Sequence, residues 1–223
     1  MLRKLFADNL REGAVAMRLR RKRFELLLRI IERFPGAVRI LDVGGRLEYW
    51  KMMTSDVKPA RPVHVTLLNI NAVPVDHPDF ASVAGDGRSM PQFADGEFDI
   101  VFSNSTIEHV GSFEDQRRMA DEVRRIGKTY YVQTPNRYFP IEPHFLFPFF
   151  QFLPVTTRVW MVQHFAMGWY PRMRDREAAL REVSSIELLG RSAFQQLFPD
   201  ATIHDERYGG LVKSFVAIRS GKI

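Results

Sequence analysis

The sequence predicts an α/β fold built on a mostly parallel sheet with flanking helices. Three observations carry that reading. Short apolar runs alternate with stretches of helical periodicity, the pattern of parallel strands joined by crossover helices. The runs end in small or polar residues, at Asp42-Val-Gly-Gly, Asn69, Asp86 and Ser103-Asn104, where a core strand has no packing need for them. Ligands in such sheets bind at the carboxyl ends of the strands, so these residues mark one functional rim. The 223 residues suit one such domain with an elaboration, or at most two small domains.

The elements follow in order. Phe24, Leu27, Leu28, Ile31 and Phe34 recur at helical spacing, so 16–34 reads as an amphipathic helix ended by Pro35-Gly36. VRILDV (38–43) is a buried strand, followed by Gly44-Gly45 and a helix around EYWKMM. HVTLLNI (64–70), SVAGD (82–86) and FDIVFS (98–103) are the next three strands. Residues 113–126 are helical, with Phe113, Met119, Val123 and Ile126 on the apolar side. KTYYVQT (128–134) is a fifth strand. SAFQQLFPDA (192–201) reads as a helix and turn, and 201–206 and 213–219 as two antiparallel strands around Gly209-Gly210.

The texture changes after Thr134. Residues 138–170 hold eleven Phe, Tyr or Trp, and five Phe fall within 145–152. A helical aromatic cap, inserted at about 137–190, accounts for this composition. Its rings serve either as the cap's own core or as an apolar acceptor pocket with a membrane-dipping edge.

Charge is uneven. The net charge is +6, and residues 1–34 alone hold ten Lys or Arg against four Asp or Glu. The basic character belongs to a helical segment over 1–35, centred on RLRRKRF (18–24), and the remainder (36–223) is close to neutral. A solvated helix face is the first reading of that run, contact with an anionic membrane surface the second. Nucleic acid comes third, because no basic stripe recurs downstream. PHFLFPFFQFLPV is too short to cross a membrane and is broken by Pro148 and Pro154. No apolar stretch follows Arg3 and Lys4, so no secretion signal is expected. The chain has no cysteine, which fits a cytoplasmic protein, with the inner membrane face as a peripheral alternative.

LDVGGRLEYW and AGDGRSMPQFADGEFDIVFSNSTIEHV carry a resemblance to a known family. The chain resembles the class I S-adenosylmethionine-dependent methyltransferases, in the small-molecule, type 11-like branch, well over 40–134 and loosely in the last strands. The resemblance implies a Rossmann-like seven-stranded sheet over 36–223 and S-adenosylmethionine as cofactor. Gly44 and Gly45 would lie against its methionine part, where the lack of a Cβ permits close approach. Asp42 would accept from its amino group. Asp86 would take the adenine N6 hydrogens, with the Gly87 backbone at the ring edge. Ser103 and Asn104 would present carbonyls to the ammonium. Two features depart from the family pattern. The turn reads Gly-Gly-Arg-Leu-Glu, which puts Arg46 or Glu48 near the methionine end. Asn69 stands where an acid normally grips the ribose, and an amide lacks the charge-assisted bond of a carboxylate.

Methyl transfer aligns nucleophile, methyl and sulfur, and some nucleophiles need a proton removed. His109 is the candidate base, since it follows the fourth strand and titrates near neutral pH. The equal alternative is that Glu108 and His109 start the next helix and only pack there. Glu142 and His144, in PIEPHF, are candidate acceptor contacts on the same rim. The six histidines have no ligand-like spacing with acids, so no metal is expected. The function that follows is methyl transfer to a small-molecule or lipid- or glycan-linked acceptor. The alternatives are a quinone- or lipid-type C-methyltransferase and a non-catalytic methyltransferase-like partner subunit. A dehydrogenase is disfavoured, because the turn lacks Gly-x-Gly-x-x-Gly spacing.

Overall fold

The computed structural model describes residues 15–55 and 57–219; the first part of the basic segment, residues 1–14, lies outside them. Five parallel strands form in chain order: β1 (Val38–Val43), β2 (Val63–Asn69), β3 (Phe80–Ala84), β4 (Phe98–Asn104) and β5 (Gly127–Pro135). After a small hairpin of β6 (Ile141–Glu142) and β7 (Phe147–Pro148), the chain returns to the sheet as β8 (Thr202–Tyr208) and β9 (Leu211–Arg219). The seven-stranded sheet has the order β3-β2-β1-β4-β5-β9-β8, with β9 antiparallel to both neighbours. Gly209 and Gly210 turn between β8 and β9 with φ of 57° and 82°, a region that favours residues without a Cβ.

Strand side chains alternate between the two faces, and each face meets helices. Ile40, Leu67, Ile100, Phe102 and Tyr131 join the face covered by α1 (Val15–Ile31) and α2 (Leu47–Thr54). Leu41, Leu68, Val101, Tyr130 and Val132 join the opposite face, under α3 (Phe113–Ile126) and α6 (Arg191–Leu197). Burial on both faces is why these strands read as unbroken apolar runs. In α3, Met119, Ala120, Val123 and Ile126 are fully buried. Its start is fixed by a capping box: the Ser112 hydroxyl accepts from the Asp115 N–H, and the Asp115 carboxylate accepts from the Ser112 N–H.

Two predicted boundaries move. The first helix ends at Ile31, where Arg33 and Phe34 close the chain with bonds to Ile30 and Ile31. The third strand ends at Ala84, because its pairing stops opposite Asn69; Gly85-Asp86 lie past its end.

The cap lies between β5 and α6. It comprises the β6–β7 hairpin, a 3-10 turn Phe150–Phe152, α4 (Val155–His164) and α5 (Arg176–Ser184). Phe145, Phe150, Val159, Val162, Met167, Ala179 and Val183 form its own small core. Other aromatics stay outside: Tyr138, Trp160, Phe165 and Trp169 are exposed.

Candidate active site

A cleft of about 720 Å³ opens over the β1 and β4 ends. Its floor is Asp42, Gly44 and Gly45; Tyr49 and Met52 of α2 line one side, and Asn104, Thr106 and His109 the other. Gly44 has φ of 78°, and a Cβ on it would run into the Thr106 side chain. A Cβ on Gly45 would meet the Asp42 carboxylate. Neither position has room for a side chain, so the turn packs tightly on Thr106 and Asp42. Asn104 Oδ1 is buried and has no hydrogen-bond partner among the described residues. A glycine cradle and an orphaned acceptor beside it suit a ligand with a cationic amino group.

The first-strand carboxylate has an environment that the sequence did not disclose. Asp42 is buried, and the Trp50 indole donates to its Oδ2 at 2.7 Å. Burial pushes its pKa up to about 7, and the indole bond only partly offsets this. Asn69 spends its amide on the turn, donating from Nδ2 to the Gly45 carbonyl at 2.9 Å. Ser103 is buried and donates to the Val43 carbonyl at 3.1 Å.

Of the predicted cofactor residues, Asp42, Gly44, Gly45 and Asn104 line the cleft. Asn69 and Ser103 brace it from behind. Asp86 and Gly87 are not among the residues that line this cleft. Arg88 holds the Asp86 carboxylate through Nε at 3.0 Å and Nη2 at 2.6 Å, which keeps its pKa below the usual range. Gly87 packs toward Val43 and Met119.

A chain of polar groups leads from the cap to the cleft. Glu142 is buried and accepts from the N–H groups of His144 and Phe145, at 2.8 and 2.6 Å. Its Oε1 meets His144 Nδ1 at 2.7 Å. His144 Nε2 faces His109 Nε2 at 3.1 Å, with the rings nearly perpendicular at 88°. The Glu142 carboxylate is taken up by its own loop and by His144. Enclosure in the cleft, and then His144, lower the His109 pKa to about 4. Burial alone would depress His144, but the Glu142 carboxylate outweighs it and the net shift is upward. Glu108 is fully buried, accepts from Thr134 Oγ1 at 3.1 Å, and is raised to about 7 by burial. Glu108, His109 and His144 bring ligand atoms within 4.8 Å of one another. Spacing along the chain gave no sign of such a group, because His109 and His144 are 35 residues apart.

A second chamber of about 270 Å³ lies on the other side of Asn104 and Ser105, which line both spaces. Phe139, Ile141, Leu146 and Trp169 give it apolar walls, and Arg20, Arg23 and Lys213 give it charge. Ser105 is held at φ 55° by bonds from its N–H and hydroxyl to Gln133. Arg20 and Arg23 come from the basic run in α1. The solvated-face reading of that run holds for Arg18, Arg21 and Lys22, which are exposed, whereas Arg20 and Arg23 turn inward. Helical periodicity around Phe24 and Leu27 carries the signal for this, since residues three and four apart share a face.

A family model described as Methyltransferase domain matches residues 54–129, about a third of the chain. The Uncharacterized protein Rv1509 of Mycobacterium tuberculosis (strain ATCC 25618 / H37Rv) is 39% identical over 62 residues, covering 28% of this chain and 21% of that protein. The match thus spans about a fifth of the length of the curated relatives. Among solved structures, the CurJ carbon methyltransferase aligns with a TM-score of 0.59 at 15% identity, over 95% of this chain and 56% of that one. The PH0226 protein from Pyrococcus horikoshii OT3 aligns at 0.54 and 14%, over 99% and 98%. The magnesium protoporphyrin IX methyltransferase of Synechocystis PCC 6803, solved with bound SAH, aligns at 0.52 and 10%, over 98% and 92%. At these identities the structural likeness is one of fold.

The sheet order and the structural likeness show a Rossmann-like, seven-stranded, mostly parallel fold, and the family match over 54–129 is to a methyltransferase domain. The matched segment runs from the end of α2 into β5, and S-adenosylmethionine is the cofactor that this match indicates. No helix among the described residues is long and apolar enough to cross a membrane.

Proposed function

We propose that this chain binds S-adenosylmethionine in the cleft over Gly44-Gly45 and transfers its methyl group to an anionic acceptor with an apolar body held in the second chamber. The observation that carries the proposal is the shared partition. Asn104 and Ser105 line both spaces, so a cofactor on one side and an acceptor on the other would meet there. The Asp42 carboxylate and Asn104 Oδ1 suit the amino group of the cofactor, and Arg46 suits its carboxylate. The bound cofactor would supply an electrophilic methyl on a sulfonium. An acceptor held in the second chamber would be placed to take that methyl, and the His109–His144 pair would stand where a proton leaving the acceptor could be taken up. Alignment of the two reactants is the chief contribution of the protein.

The acceptor class follows from the lining. Arg23 and Lys213 meet one carboxylate, Glu206, which lies 3.4 Å from Arg23 and 3.8 Å from Lys213, and Arg20 lines the same chamber. Burial and then the neighbouring Arg23 lower the pKa of Lys213, as expected where cations outnumber acids. A phosphate or carboxylate on the acceptor would relieve that excess. A further cavity of about 570 Å³, lined by Phe147, Trp160, Phe165 and Met167, shares Leu146 with the chamber. That adjacency favours a lipid-linked acceptor whose tail lies along the cap, and it keeps a quinone- or lipid-type C-methyltransferase as the alternative within the same chemistry.

Transfer of a radiolabelled methyl to anionic acceptors with increasing acyl length tests this reading. KM should fall as the chain lengthens, and Trp160→Ala should remove the length dependence while short acceptors react as before. Turnover limited to short, cationic acceptors would contradict it. A non-catalytic partner subunit, supported by the indole bond on Asp42 and the amide at Asn69, would bind the cofactor and label no acceptor at all.

A further inference from the structure

The geometry points to a binding site for one divalent transition-metal ion, held by Glu108, His109 and His144 where the cofactor cleft meets the acceptor chamber. Three independent features of the cluster converge on it.

The first is the attitude of the two rings. The Nε2 atoms face each other at 3.1 Å, and the ring centroids are 4.8 Å apart. A straight N–H···N bond along both ring axes would set the centroids about 5.4 Å apart. The rings instead converge at an angle. An ion about 2.1 Å from both nitrogens, on the outward axis of each ring, would subtend about 95° at a 3.1 Å separation and place the centroids about 4.8 Å apart. Both measured distances thus give the same angle, close to that of adjacent ligands in an octahedral site.

The second feature is the carboxylate. Glu108 is fully buried, its Oε2 is anchored by Thr134, and its Oε1 is buried without a hydrogen-bond partner among the described residues. An orphaned carboxylate oxygen inside a protein is costly unless something cationic meets it. Glu108 belongs to the same 4.8 Å cluster as the two rings, so a small swing of its side chain would close the ligand set.

The third is the support behind His144. Its Nδ1 lies 2.7 Å from Glu142, which leaves Nε2 to face the cluster. A carboxylate on the far nitrogen of a ligating imidazole fixes the ring and raises its basicity. Two imidazoles and one carboxylate suit zinc, cobalt, manganese or iron(II), not the oxygen-rich preference of calcium or magnesium.

His109 lines the cofactor cleft and His144 the chamber, so an ion between them would reach an acceptor oxygen beside the methyl group. With the ion on both Nε2 atoms, that pair no longer accepts the proton; the ion would bind the oxygen and promote loss of its proton to water instead. That role rests on the proposed methyl transfer; binding of the ion does not.

Calorimetric titration of the full chain with Zn²⁺ and Co²⁺, after chelator treatment and with no affinity tag, tests the site without any cofactor present. The expected result is one ion per chain and a visible Co²⁺ absorption band. Glu142→Gln should weaken binding by about 10–100-fold, and Glu108→Gln and His144→Ala by at least as much. Glu108→Gln preserves the size of the side chain, so it remains informative if His144→Ala fails to fold by circular dichroism. Absence of saturable binding by either ion, or affinity unchanged in Glu108→Gln, would overturn the site. Because the titration contains no S-adenosylmethionine, its failure is separate from failure of the cofactor reading.

Discussion

Asp42 is asked to do two jobs, and its burial sets the pH at which each is done. Its native pKa of about 7 lies above the ordinary value of 3.8, so the folded chain keeps a proton that the unfolded chain gives up. The resulting stabilisation is complete below about pH 4 and is lost as pH rises through 7, on the order of a few kcal/mol in all. Asp42→Asn removes that slope. Urea unfolding at pH 5 and pH 8 should show the variant gaining on the wild type at the higher pH; parallel changes would refute the assignment. Binding of a cationic amino group runs the other way. It needs the ionised carboxylate, so cofactor affinity should rise between pH 6 and 8 in the wild type and stay level in Asp42→Asn. The Trp50 contact behind this behaviour was not legible in LDVGGRLEYW, since nothing in the letters says which way an indole on α2 points. The Gly44-Gly45 pair was legible, because only a close approach or a positive φ makes such a turn useful.

The elements differ in how openly they declare themselves. β1, β4 and β5 were readable because both faces of each are covered, which forces near-continuous apolar runs; β3, at the sheet edge, has no buried residue, and its bounds were the less accurately read. α3 was readable because Met119, Val123 and Ile126 repeat at helical spacing; Phe113, expected on the same side, is exposed in the first turn, and the start itself is fixed by the Ser112–Asp115 capping box. That cap gives a direct check: Ser112→Ala should cost about 1 kcal/mol in denaturant unfolding with the slope unchanged. A loss below a few tenths would mean that the helix start is held by other contacts. The cap was readable only as composition. Its aromatics have mixed spacing, and its core forms from five separate segments: the β6–β7 loop, the 3-10 turn, α4, the connection that follows it and α5. The meeting of His109 with His144 is non-local in the same way, and no spacing rule reaches across the intervening 35 residues.

At the scale of the whole molecule, the net charge of +6 is not only a surface property. Part of it is folded inward, through Arg20 and Arg23 of α1 and Lys213 of β9, toward the chamber between sheet and cap. Lys213→Ala should raise KM for an anionic acceptor by about tenfold and reduce the dependence of KM on ionic strength, with kcat little changed. An equal effect on a neutral acceptor would show loss of packing instead of loss of charge. The architecture then has one centre: a mostly parallel sheet whose rim opens to the proposed cofactor cleft and the proposed acceptor chamber, with Asn104-Ser105 lining both. Titration of the full chain with S-adenosylmethionine and S-adenosylhomocysteine, beside Gly45→Val checked for folding by circular dichroism, tests that claim most directly. Saturable one-to-one binding in the wild type, lost in a folded variant whose new side chain would occupy the floor of the cleft, is the predicted result. Absence of binding by either ligand, or affinity unchanged in Gly45→Val, would contradict it.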